Sequence, residues 1–196
     1  SYFCEGNGWQ YTFFVPQDVY GLIELFGGDK PFLERLNQFF VNNDSMGEEA
    51  SADITGLIGQ YAHGNEPSHH ISYMYAYAGQ QWKTAEKVRY IMDEFYKDTP
   101  DGIIGNEDCG QMSAWYILSS MGFYQMNPAD GVYVFGSPRF DKMSVKVRGG
   151  KTFTVEAENN SKENIYIQKV FLNGKPYKKA YITYDDIING STRKFV

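Results

Sequence analysis

At 196 residues, 42% of them hydrophobic and 21% charged, the chain is long enough to bury a core in one or two compact domains. Its net charge of −6 argues against nucleic acid as a partner, because phosphates attract a basic footprint. No apolar run approaches the roughly 20 residues that span a bilayer, so no membrane span is expected. Ser1 opens straight into aromatic, core-like sequence, and the N-terminus reads as a cut end or a maturation site. The 16 Tyr and 14 Phe suit a protein that handles sugars, whose faces pack on rings, and suit an aromatic core equally well.

The first part of the chain reads as helices. Pro16 begins a segment with Val19, Leu22, Ile23 and Phe26 on one face, closed by Gly27 and Gly28. Asp29 is the expected cap of the next helix, with Pro31 in its first turn and Phe32, Leu33, Leu36, Phe39 and Phe40 as its apolar stripe. A polar loop over 42–51 leads to a weak helical pattern over 52–61. Pro67 starts another predicted helix, with Ile71, Met74 and Ala78 on one face. Thr84 is the expected cap of a fifth, in which Ala85, Val88, Ile91, Met92 and Phe95 keep helical spacing. A sixth, over 110–121, is apolar nearly all round and so is expected to be buried on every side.

After Gly122 the pattern turns to strands at 132–135, 143–147 and 152–157, where Phe153, Val155 and Ala157 alternate with polar residues. Ile165, Ile167, Val170 and Leu172 continue it, Asn173-Gly174 marks a hairpin, and 181–184 and 191–196 supply further short strands. Helices followed by strands predict an α+β chain, divided here into 1–125 and 126–196.

Three polar clusters stand at helix ends: Cys4-Glu5-Gly6-Asn7-Gly8-Trp9-Gln10-Tyr11, His63-Gly64-Asn65-Glu66-Pro67-Ser68-His69-His70, and the run from Asp101 to Ser113 that contains Asn106-Glu107-Asp108-Cys109-Gly110-Gln111. Glycine lets a backbone approach a ligand closely, and loops on a rigid base commonly carry function. Taken singly, each has a plain structural reading. Asn65 and Glu66, or Glu107 and Asp108, can be helix caps or a negative helix entrance, and one of the adjacent His69 and His70 can be a core histidine. The same mixture three times in one helical region is harder to account for that way. Cys4 and Cys109 are too few for a disulfide framework, which leaves two free thiols or one pairing near a shared site.

These strings resemble motifs of glycoside hydrolase family 92. Glu5-Gly6-Asn7-Gly8-Trp9-Gln10-Tyr11, Gly64-Asn65-Glu66-Pro67-Ser68-His69-His70, Gly105 through Tyr116, Met121-Gly122-Phe123-Tyr124 and Gly136-Ser137-Pro138 follow in the family's order. The resemblance implies an exo-acting, calcium-dependent, inverting α-mannosidase. It further implies an (α/α)6 barrel, of which this chain would supply the second half, followed by a β-sandwich-like segment. The partners implied are a mannose-containing glycan and the remainder of the same polypeptide, with export to the periplasm or cell surface of a bacterium. The isolated chain is then expected to be inactive.

An inverting glycosidase needs two carboxyl groups roughly 6.5–9.5 Å apart, one to protonate the leaving oxygen and one to activate water on the opposite face. By resemblance Glu5 is the acid and Asp108 the base. Apolar neighbours such as Phe3 and Trp9 are expected to keep Glu5 protonated, and a polar helix entrance to keep Asp108 ionised. The family often carries a second acidic residue where this chain has Asn106, which is then expected to hold the water. Calcium takes six to eight oxygen ligands, for which the resemblance offers Asn65, Glu66 and Gln10. His63, His69, His70 and Gln111 are candidate sugar contacts, and Trp9 a stacking platform. Members preferring α-1,2 bonds tend to carry an acidic residue at the position of Gly64, so α-1,2, α-1,3, α-1,4, α-1,6 and mannosyl phosphate linkages stay open. A non-catalytic carbohydrate-binding module and a trehalase-like or glucoamylase-like barrel hydrolase are the competing readings.

Overall fold

The computed structural model describes residues 3–46 and 50–196; Ser1, Tyr2 and positions 47–49 of the predicted polar loop lie outside it. The N-terminal part is a layer of helices and tight turns around one apolar core. Asn7 caps the short helix α1 (Gly8–Thr12), which the sequence reading missed. Helix α2 (Val19–Leu25) starts two residues after Pro16–Gln17 because the Asp18 carboxylate takes the Gly21 N–H at 2.9 Å. It stops where Gly27 and Gly28 turn left-handed. In α3 (Asp29–Val41) Gly28, not Asp29, holds the cap position, and Asp29 sits in the first turn, where its charge suits the helix dipole. Phe32, Leu36, Phe39 and Phe40 are its buried stripe.

Residues 52–61 form no helix. They lead into a hairpin of β1 (Leu57–Ile58) and β2 (Tyr61–Ala62), paired Leu57 to Ala62 and Ile58 to Tyr61. The reason lies in tertiary contact. Gly59, at φ 60°, lies so close to α3 that a Cβ would stand 2.6 Å from the Phe40 carbonyl carbon, and Gln60 N–H binds the Phe39 carbonyl at 2.8 Å. The helix expected from Pro67 is two 3₁₀ segments, Glu66–Ser68 and Ile71–Ala78, the second ended by Gly79 in the left-handed region. Helix α4 (Gln81–Phe95) begins before Thr84, which is buried in its first turn instead of capping it. Its face of Ala85, Val88, Ile91 and Met92 joins the core. Helix α5 (Gln111–Ser120) buries Met112, Trp115, Ser119 and Ser120, but Ala114 and Ile117 are exposed. The element enclosed on nearly every side is instead Ile71–Ala78, whose residues 71–75 are all buried.

Two sheets follow. Strands β3 (Phe123–Gln125), β4 (Val132–Phe135) and β9 (Tyr181–Thr183) form an antiparallel sheet in the order β3-β4-β9. Strands β5 (Lys142–Lys146), β6 (Thr152–Ala157), β7 (Val170–Leu172), β8 (Lys175–Pro176) and β10 (Thr192–Phe195) form the second, in the order β5-β6-β10-β7-β8. Only the β6–β10 pair in it is parallel. The hairpin at Asn173-Gly174 is present, with φ of 50° and 76° there and Leu172 opposite Lys175. A short helix α6 (Tyr184–Ile188), capped by Thr183 and Asp186, precedes β10.

The sheets share one core: Phe123, Phe135 and Ile182 from the first meet Phe153, Val155 and Phe195 from the second, with Met121 from the end of α5. Fully buried Arg193 stacks on the Tyr177 ring at 4.0 Å and faces Phe135 at 5.4 Å. Met126 and Val134, conversely, belong to the helical core. Helical layer and sheets therefore interlock along a seam, in which Arg89 of α4 donates to Ser137 Oγ at 2.9 Å and to the Pro138 carbonyl.

Candidate active site

The three polar clusters come together. Glu66 is the hub: burial, then the neighbouring Asp108 and Glu5 carboxylates, push its carboxyl above the ordinary glutamate range, and its carboxyl lies within hydrogen-bonding reach of Asp108. The three acids come from three separate loops, the first before α1, the second after β2 and the third before α5. Asn65 ties two of these loops directly, its Nδ2 donating to the Glu5 carbonyl at 2.7 Å. It makes no side-chain cap to the 3₁₀ segment that follows, so the plain cap reading fails for Asn65. That role falls to Glu107, whose two carboxylate oxygens accept from Ser113 N–H at 3.0 Å and Ser113 O–H at 2.8 Å at the start of α5.

The backbone under the two proposed reacting groups is unusual. Glu5 has φ 52°, and Asp108, Cys109 and Gly110 follow one another at 37°, 58° and 88°. A non-glycine residue held there costs roughly 1–3 kcal/mol and persists only where its surroundings over-determine it. Glu5 itself is exposed and does not lie in an apolar pocket, so the burial expected to keep it protonated is not supplied by the described residues. Cys4 and Cys109 are both exposed and free.

Several predicted contacts face inward. Gln10 is buried, its Oε1 accepting from Asn7 N–H at 2.7 Å and its Nε2 donating to the Gln60 carbonyl at 2.5 Å; its amide locks the first loop to the β1–β2 turn. Trp9 packs against the helical core and one face of its ring is covered by the Arg35 guanidinium at 3.6 Å. His63 is fully buried behind His69, with ring centroids 5.0 Å apart, and is no wall of the cleft. Asn106 is exposed, and its Nδ2 donates to Asp53 Oδ1 at 3.2 Å.

The remaining candidates line a cleft of about 290 Å³ walled by Glu66, His69, His70, Gln111, Tyr124 and Leu118 among others. His69 is held on three sides. Its Nε2 faces the His63 carbonyl at 2.9 Å and so carries the proton; Nδ1 then accepts from Gln111 Nε2 at 3.0 Å; its own carbonyl accepts from Trp115 Nε1 at 3.0 Å. Gln111 gives its second amide hydrogen to Tyr124 Oη at 3.0 Å. His70 Nε2 donates to the Phe13 carbonyl at 2.6 Å. Burial pushes both His69 and His70 down to about 4, leaving them neutral at pH 7. Tyr124 was not singled out as a contact from sequence, although it stands inside the Met121-Gly122-Phe123-Tyr124 motif. Nothing in the sequence marks Asp53, which reaches the site from an irregular loop.

A second directed chain runs behind this wall. Tyr96 Oη donates to the Met112 carbonyl at 3.1 Å, so it accepts from His63 Nε2 at 2.7 Å, and His63 Nδ1 in turn accepts from Tyr61 O–H at 2.8 Å. The described ion pairs, Arg139–Asp93, Lys142–Glu156 and Lys194–Glu158, all lie elsewhere. Among the described residues no three carboxylates or imidazoles close on one point.

Known proteins match this chain throughout. The sequence model of the glycosyl hydrolase family 92 catalytic domain matches residues 1–196. A protein of Arthroderma benhamiae described as an uncharacterized secreted glycosidase is 35% identical over 191 residues, which is 96% of this chain and 23% of that protein. The structure of a family GH92 alpha-mannosidase from Bacteroides thetaiotaomicron in complex with mannoimidazole superposes with a TM-score of 0.90 at 43% identity, over 97% of this chain and 25% of that one. An inverting GH92 mannosidase of the same organism gives 0.83 at 38% identity, over 98% and 27%. The chain thus spans about a quarter of the length of these relatives. With its three motif loops meeting around Asn65 and Glu66 and a family match over its whole length, the chain belongs to glycosyl hydrolase family 92.

Proposed function

We propose that the chain is part of a calcium-dependent, inverting exo-α-mannosidase acting on mannose-containing glycans. The observation that carries this is the joining of the three motif loops, in which Asn65 donates to the Glu5 carbonyl at 2.7 Å and Gly64 lies against Gly105, so that Glu66 stands beside Asp108. Glu5 gives its proton to the glycosidic oxygen as the bond to the anomeric carbon breaks. Asp108 takes a proton from the water that attacks that carbon from the opposite face, so the released sugar is β-mannose. Glu107, committed to Ser113, is left out of the chemistry, and this separates two adjacent acids into a cap and a base. Asn106 orients the water from the same loop. His70, Gln111 and Tyr124 bind the sugar as fixed neutral groups, and His69, both of whose ring nitrogens are engaged, holds Gln111 in place for it.

The residues present suit a calcium ion. Oxygen donors of the kind calcium takes stand at this corner, in the Glu66 carboxylate beside Asp108, the Asn65 amide and the main chain, although the described residues close no three carboxylates on one point. Asn65 and Glu66 would hold it, whereas Gln10 supports the loop from inside. Bound there, calcium would take sugar hydroxyls as ligands and favour a distorted ring. The exposed Glu5 needs a cover that the described residues do not give. We assign that cover to the sugar and to the remainder of a longer polypeptide, whose other helices would complete an (α/α)6 barrel. Export, as in the secreted relative, completes the reading.

The test uses a full-family-length protein carrying this chain. Asp108→Asn should lower mannose release by about 10²–10⁴-fold, the usual worth of a general base. Glu5→Gln should cost as much on a mannobiose but far less on an aryl mannoside with a good leaving group, which needs little protonation. A chelator should abolish activity and added calcium restore it. Unchanged turnover in Asp108→Asn would mark the cluster as a binding module only.

A further inference from the structure

The loop that carries Asp108 is strained at two successive non-glycine residues, Asp108 and Cys109, and something must fix it. Part of the support is local: Gln111 N–H binds the Asp108 carbonyl at 3.2 Å, and Glu107 holds Ser113. Beside the bonds of Asn106 to Asp53 and of Gln111 to His69 and Tyr124, a further support from another element is Tyr96, at the C-terminal end of α4, whose hydroxyl donates to Met112 in the first turn of α5. That hydroxyl is oriented in turn by His63, and the imidazole by Tyr61 of β2. The Trp115 ring packs edge-on against His63 at 4.4 Å and parallel to Tyr96 at 6.0 Å, which leaves the relay little freedom to rotate.

The same short segment reaches the other acid. Two residues after His63, Asn65 holds the carbonyl of Glu5, which is also at positive φ. Two residues before His69 lies Pro67, and from His69 the bond to Gln111 returns to the start of α5. Positions 63–69 thus brace both strained loops from behind, and they touch them by hydrogen bonds whose direction is settled by the carbonyl acceptors at each end.

We propose that His63 and Tyr96 are positioning residues for the hydrolytic reaction: they set the Asp108 carboxylate in place through Met112 without touching substrate. This rests on the reading of Asp108 as the general base. His63 is thereby moved from a sugar contact to a support, in keeping with its complete burial.

In the full-family-length protein, Tyr96→Phe should lower kcat on an aryl α-mannoside about 10- to 100-fold, the scale of a small misplacement of a reacting group. KM should stay within about threefold, because ground-state binding by the cleft residues is untouched. His63→Gln keeps an amide N–H where Nε2 donates, so it should retain several-fold more kcat than His63→Leu. Amide exchange of residues 110–114 should quicken in Tyr96→Phe. Wild-type kcat in Tyr96→Phe, a matched loss in kcat and affinity, or equal activity of the two His63 variants would overturn the inference. Should Tyr96→Phe not fold, the His63 pair decides. A wild-type protein that releases no mannose would sink the mannosidase reading alone; exchange of 110–114, unaltered by the Tyr96 and His63 substitutions, would then sink this one.

Discussion

Gly64 and Gly105 meet back to back where the second and third loops cross. A Cβ on Gly105 would stand 2.5 Å from the Gly64 carbonyl oxygen and 2.7 Å from its Cα, and Gly105 has φ 73°. A Cβ on Gly64 would run into the Thr55 hydroxyl and come within 3.3 Å of Gly105 Cα. The contact on Gly105 is with backbone, which has nowhere to go. Gly105→Ala should therefore cost at least about 2 kcal/mol, combining the left-handed penalty with the clash, and it should part the Asn65-Glu66 corner from Asp108. Denaturant unfolding and mannose release check it, and an alanine variant as stable and active as the parent would refute it. At this scale the sequence could name the polar residues of the site but not their direction. Gln10, Trp9 and His63 stand in the same glycine-rich strings as Glu5 and Glu66, yet two of them are buried and the third lies against Arg35. What each side chain already touches, not its residue type, separates support from contact.

The elements were legible where a local signal decides them. Asn173-Gly174 makes its hairpin because both residues tolerate positive φ, and Phe153, Val155 and Ala157 alternate because one face of β6 is core. Elements failed where packing overrides pattern. Ala114 and Ile117 give α5 apolar faces that this chain does not cover, and Ile71–Ala78 is enclosed instead because α2, α3, α4 and β4 all pack on it. Beside the apolar contacts of Met126 and Val134, Arg89 ties the helical layer to the sheets, donating to Ser137, Pro138 and Asn160 from inside α4. Arg89→Ala leaves those acceptors unpaired and should destabilise the protein by roughly 2–4 kcal/mol. Chemical denaturation measures this, and a loss under about 0.5 kcal/mol, the range of an ordinary surface substitution, would show the seam to hold without it.

For the molecule as a whole, His69 and His70 are buried neutral, with pKa values pushed down to about 4 against an ordinary value near 6.5. Between those values the unfolded chain binds protons that the folded one refuses. Stability from this source is complete above pH 6.5 and falls as pH drops toward 4, by about 3 kcal/mol per histidine at most. The urea midpoint should be clearly lower at pH 4.5 than at pH 7, and His70→Gln should flatten the dependence. Equal midpoints for the parent at both pH values would contradict the buried neutral state.

Chain order, strand periodicity, turn chemistry and the three polar strings are properties of neighbouring residues, and the sequence alone sufficed for an α+β chain, most of its strands and the family it resembles. The meeting of Glu5, Glu66 and Asp108 depends on contacts such as the bond from Asn65 to Glu5, 60 positions apart, and the reversal of His63 from wall to support on its bond to Tyr96, 33 apart, while even the division of Glu107 from Asp108 needs the loop folded so that Glu107 reaches Ser113, six residues on. Those contacts were decided only when two glycine backbones could touch and one loop could brace the other two, because hydrogen bonds and close packing act through space and leave no periodic trace along the chain.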